Sequence, residues 1–107
     1  MIVVLFSTKL RADADIGDYE ATGQRMVDLV QQLPGFVSME SYAGDDGAEL
    51  TIARFTSEAA VEEWRANPEH LEAQAAGRDR FYERYHIEIC SPVRSYSFDR
   101  SVERAGG

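Results

Sequence analysis

A chain of 107 residues with 19 acidic and 11 basic side chains, formal net charge −8, is expected to be one domain. It carries too little clustered Lys and Arg to bind nucleic acid, because phosphate binding requires basic side chains that displace counterions. The single cysteine, Cys90, cannot close an internal disulfide. With no basic leader and apolar signal segment, a reducing, cytoplasmic setting is expected. The longest apolar run, residues 2–6, is far too short to cross a bilayer, so no membrane partner is expected. A core this small buries only about two-thirds of the unfolded surface, which predicts a small pocket or one completed by a second copy of the chain.

Residues 1–8 (MIVVLFST) are apolar on both parities, which predicts a strand covered on both faces. Asp13 and Asp15 precede Tyr19, Met26, Val30 and Leu33 at helical spacing. A helix of about four turns is expected there, ending at Leu33 before Pro34-Gly35. Residues 36–43 and 50–55 read as strands joined by the hairpin turn 44–47 (GDDG), whose glycines supply positive φ.

Thr56 or Ser57 caps a short helix through Trp64, and Asn67-Pro68 then interrupts and restarts it. The second piece, from 69 to about 82, places His70, Gln74, Gly77 or Arg78, and Phe81 on one face. From Arg84 to Phe98 the chain reads as one overlong strand in which the apolar parity changes beyond Pro92. Pro92 marks a bulge or an edge, and the far half is expected to pair with a partner subunit. Residues 101–107 read as a flexible C-terminal tail.

The order strand, helix, strand, strand, broken helix, long strand is that of a ferredoxin-like α+β unit: an antiparallel sheet with helices on one face. Three motifs give it a family likeness: W-R-x-N-P-E-H-x-x-A-Q-x-x-G-R at 64–78, F-Y-x-x-Y at 81–85 and V-R-x-Y at 93–96. With the apolar first strand, P-G-F at 34–36 and the acidic hairpin, residues 1–98 resemble the antibiotic biosynthesis monooxygenase (ABM) domain family. The resemblance implies one domain over residues 1–100 and a homodimeric α+β barrel in which the last strand reaches across to the other subunit. Enzymes of the family oxidise electron-rich phenols or quinols with molecular oxygen and without metal or flavin; other members degrade haem.

Carried onto this chain, the resemblance makes Trp64 the aromatic wall of a substrate pocket; Gln74 and Phe81, on the helix face that carries His70, are expected to bind substrate beside it. His70 becomes the proton acceptor and Arg84 the group that stabilises an anionic intermediate. Each residue also has a purely structural role open to it: Trp64 as a packing anchor, His70 as a bridge at the Asn67-Pro68 break, Arg84 as a surface cation. Two departures from the pattern stand out. Ala60 occupies the place of an Asn that contributes to cofactorless sites, and Ser7 and Gln74 stand where haem-degrading relatives have an Asn and the iron-binding His. Haem is therefore not expected as a cofactor, and neither is any other. His86, Glu88 and Cys90 share a strand face but supply too few soft ligands for a metal site. Two functions remain open, a cofactor-independent monooxygenase acting on a small aromatic phenol or quinol and a noncatalytic dimer that binds a small aromatic molecule or serves as a structural module.

Overall fold

The computed structural model describes residues 1–101. Four strands, Ile2–Leu10 (β1), Phe36–Ala43 (β2), Glu49–Phe55 (β3) and Tyr82–Cys90 (β4), form one antiparallel sheet in the order β2-β3-β1-β4. Between them lie Ile16–Val30 (α1), Glu58–Arg65 (α2), Pro68–Ala76 (α3) and a π-helical turn, Gly77–Phe81, that leads directly into β4. This is the ferredoxin-like α+β arrangement expected from the sequence.

Each helix starts where a side chain can satisfy its orphan amides. Asp15 accepts from the Asp18 amide (3.0 Å), Ser57 from Ala60 (3.2 Å), and Asn67 from both Glu69 (2.9 Å) and His70 (3.2 Å). The first helix ends three residues before the expected Leu33. Gln32 and Leu33 instead donate to the carbonyls three residues back, because Pro34 disfavours helical geometry at Leu33. In the hairpin only Gly47 takes a positive φ (82°); Gly44 does not.

Register sets which side chains face the helices. Val4 lies opposite Ala53 and Ile89, and Phe6 opposite Thr51 and Ile87, so these residues share the inner face. The core gathers Ile2, Ala53 and Phe55 of the sheet against Val30 of α1 and Ala60, Val61 and Trp64 of α2. Val3 and Leu5 point to the other face, which the core built with α1 and α2 does not include. A bidentate ion pair between Arg25 of α1 and Glu69 of α3 (2.9 and 3.0 Å) links the two helices.

The last strand is shorter than the sequence suggests. Sheet pairing starts at Tyr82 and stops at Cys90, two residues before Pro92, which has no amide hydrogen to donate to a ladder. Residues 91–98 form no strand, and Val93, Tyr96 and Phe98 are 92, 84 and 65% exposed. Of the expected tail, residues 102–107 lie outside the described residues.

Candidate active site

The break between α2 and α3 builds the most distinctive local geometry of the chain. In a continuous helix the Trp64 carbonyl would accept from the amide four residues on, but that residue is Pro68, which has none. The carbonyl accepts instead from the Asn67 amide (3.1 Å) and from Nδ1 of His70 (3.0 Å). A carbonyl can only accept, so Nδ1 carries the hydrogen, and in the neutral ring Nε2 is left as the acceptor. The same contact lays the imidazole over the Trp64 indole, with ring centroids 4.1 Å apart and planes inclined by 16°. Burial lowers the His70 pKa below the ordinary 6.5, the hydrogen bond to Trp64 opposes this, and the nearby Arg65 charge lowers it further. The result is an imidazole held neutral, in one tautomer, with a basic nitrogen to offer.

His70 and Trp64 form part of the wall of a cavity of about 930 Å³ between the sheet and the helices. Its floor is the inner sheet face, with Val4, Phe6, Ile87 and Ile89, and Tyr19, Phe81, Tyr82 and Tyr85 add an aromatic rim. Aromatic packing holds the rim together: Phe6 meets Tyr82 and Tyr85 edge-on at 5.9 and 6.0 Å, and Tyr19 meets Phe81 at 5.5 Å. The π-helical turn completes the wall. A Cβ on Gly77 would fall 2.5 Å from the Tyr82 ring, so only glycine lets that ring lie against the turn. The cavity is larger than the chain's length suggests because it is an open cleft. The helices leave β4 partly open, and Tyr85, Ile87 and Ile89 stay 42, 42 and 44% exposed.

Burial raises the phenol pKa of Tyr19 above the ordinary 10.0 and raises that of Tyr82 more strongly; Tyr19 adds to the rise at Tyr82 and the Glu49 carboxylate to both, while contacts with the Tyr82 and Thr8 hydroxyls oppose it at Tyr19. Both remain protonated at neutral pH, and the Tyr82 hydroxyl is turned toward that of Tyr19.

Of the residues singled out from the sequence, Trp64, His70, Gln74 and Phe81 all line this cavity. Arg84 does not. Its neighbour Tyr85 faces the cleft, so Arg84 projects from the opposite side of the sheet, where it pairs with Asp46 (3.4 Å) and Glu83 (3.7 Å). His86 lies on that outer face too and bonds to Glu88 (3.0 Å). Among the described residues no group of three or more His, Cys, Asp or Glu side chains is placed to hold a metal. Ala60 is buried in the core and does not reach the cleft, and Ser7 is exposed on the outer face. Tyr19, Tyr82 and Tyr85 are lining residues that the sequence does not mark as such. The F-Y-x-x-Y run holds the signal for two of them, but the register that turns Tyr85 inward depends on pairing with β1.

Comparison with known proteins agrees with this architecture. Residues 1–76 match the family model for antibiotic biosynthesis monooxygenase. The Bacillus subtilis (strain 168) protein YqjZ is 34% identical over 99 residues, covering 92% of this chain and 85% of the relative. The chain belongs to the antibiotic biosynthesis monooxygenase family. Its fold is shared with Rv0793 from Mycobacterium tuberculosis (TM-score 0.77, 22% identity, covering 90% of this chain and 98% of that one). It is shared also with SnoaB, a cofactor-independent oxygenase from Streptomyces nogalater (TM-score 0.73, 17% identity, 88% and 94% covered). Among the described residues no helix is long and apolar enough to cross a membrane.

Proposed function

We propose that this protein is a cytoplasmic, cofactor-independent monooxygenase that oxidises a small aromatic phenol or quinol with molecular oxygen. The observation that carries this reading is the stacked Trp64–His70 pair, in which the Trp64 carbonyl fixes the tautomer and leaves a neutral basic nitrogen at an aromatic cleft. The substrate lies in the cleft among Trp64, Phe81 and the tyrosine rim, with Gln74 as a hydrogen-bonding partner. His70 takes the phenolic proton, and the resulting anion, electron-rich at ring carbon, passes an electron to oxygen. Recombination forms a carbon–oxygen bond to a hydroperoxide. Loss of the ring C–H proton and cleavage of the oxygen–oxygen bond then release water and leave a carbonyl, so one oxygen atom enters the product and all reducing electrons come from the substrate. The Tyr19 hydroxyl, which accepts from Tyr82 and keeps its own hydrogen, is the protonated donor for the developing oxyanion. Arg84 is given no role in this proposal, because it lies outside the cleft beside Asp46 and Glu83.

Oxygen consumption with a panel of quinols and polycyclic phenols tests the reading. One oxygen molecule should disappear per quinone formed, without added metal or flavin, and silence across the panel would overturn the assignment. One observation favours a noncatalytic binding module instead: Ala60 is packed in the core and supplies no amide to the cleft. Ligand binding without oxygen uptake is the outcome that would select it.

We further propose that the working form is a homodimer. Val3 and Leu5, set among polar groups such as His86 and Glu88 on the outer sheet face, together with the exposed Val93, Tyr96 and Phe98 after β4, offer apolar side chains of the kind that obligate dimers bury. Light scattering at micromolar concentration is expected to give twice the chain mass of 12.0 kDa. A folded species of that single mass would refute the dimer.

A further inference from the structure

The cleft holds a cation that the proposed chemistry does not use. Arg78 lines it, one helical turn beyond Gln74 and two beyond His70. In this acid-rich chain Arg11, Arg25, Arg54, Arg65, Arg80 and Arg84 each hold a carboxylate at 2.5 to 3.4 Å. Arg78 holds none among the described residues. The cleft's other cation, Arg65, is occupied by Glu62 at 3.0 Å. Glu20 and Glu49 also line the cleft, and neither pairs with Arg78. A guanidinium is a fork of donors matched to a carboxylate, and the one that faces the cleft is unclaimed.

We infer that the cleft selects aromatic substrates that bear a carboxylate at the end remote from the reacting hydroxyl, with Arg78 as the residue that binds it. This rests on the reading of the cleft as a phenol or quinol site and adds the substrate's second functional group. The helix sets the span. His70 and Arg78 are eight residues apart, about 12 Å along the axis at 1.5 Å per residue, with Gln74 between them. A simple phenol is too short to engage both; a fused-ring or similarly extended phenol carboxylate is long enough. The general field of a chain with net charge −8 repels anions, so the attraction has to be this local contact.

Calorimetric titration without oxygen compares a hydroxynaphthoate whose hydroxyl and carboxylate sit at opposite ends of the rings with the matching naphthol. The wild-type protein is expected to bind the carboxylate about 10-fold more tightly or better, the range for a charge-assisted hydrogen bond. Arg78→Gln should abolish that preference while leaving naphthol affinity in place, and Arg78→Lys should restore part of it. Arg78 is exposed, so neither variant removes core packing. Naphthol binding with no preference for the carboxylate, or a preference that survives Arg78→Gln, overturns this inference and leaves the aromatic-site reading standing. Binding of neither compound overturns both.

Discussion

His70→Ala is expected to lower turnover of any oxidisable phenol by about 10² to 10⁴-fold, the range for losing a positioned general base, while substrate affinity changes little. The geometry makes the expectation specific. The Trp64 carbonyl holds the Nδ1 hydrogen, so Nε2 is the ring's only basic atom, and no other imidazole lines the cleft. The pH profile supplies an independent readout. The His70 pKa in the folded chain lies below 6.5, so the base form persists as pH falls through that value and the acid limb of kcat/KM has its midpoint below it. The same shift affects stability with a fixed sign. Above pH 6.5 the imidazole is neutral in both folded and unfolded chains. As pH falls from there toward the folded pKa the unfolded chain binds the proton first, and stability declines. An acid limb centred above 6.5, or unchanged turnover in folded His70→Ala protein, would remove His70 from the mechanism.

Local chemistry makes much of this site legible in the amino-acid sequence. Pro68 breaks the helix whatever surrounds it, Asn67 restarts it, and the interval from Trp64 to His70 spans that junction, so the two residues stand out together. Gln74 and Phe81 follow from helical spacing. Arg84, given its role by the family resemblance, lies outside the cleft, and the sequence does not show this because its side depends on strand register. A shift of one residue moves a side chain to the opposite face, and in β4 a pairing irregularity at Lys9/Leu10 on the neighbouring strand intervenes before the alternation settles. The length of β4 escapes the sequence for a related reason. Extended sequence continues past Pro92, but a strand exists only where a neighbour supplies hydrogen bonds, and within this chain they end at Cys90. The cleft's size is hidden because surface scaling limits enclosed volume and says nothing about a groove left open between helices and sheet.

Trp64→Ala is expected to destabilise the fold by about 3 to 5 kcal/mol, the cost of emptying a large aromatic site in a core. The indole is 8% exposed and belongs to the cluster with Val30, Phe55 and Val61, so its loss leaves a void under α2 that Ala cannot fill. The same side chain carries one face of His70, so the variant also frees the imidazole from its stack. Structure and chemistry are therefore coupled at this residue. A domain of this size has a total stability of about 5 to 15 kcal/mol, so the variant sits near the folding threshold and activity loss alone would be uninformative. Trp64→Phe separates the effects, because it keeps an aromatic surface for His70 and most of the buried area. It should cost less in urea unfolding than Trp64→Ala and retain a depressed His70 pKa. Urea denaturation showing less than about 1 kcal/mol for Trp64→Ala would mean that the indole is not a core anchor, since surface substitutions fall in that range. A loss of several kcal/mol with the His70 titration restored toward 6.5 would show that one side chain both holds α2 on the sheet and sets the proton affinity at the cleft.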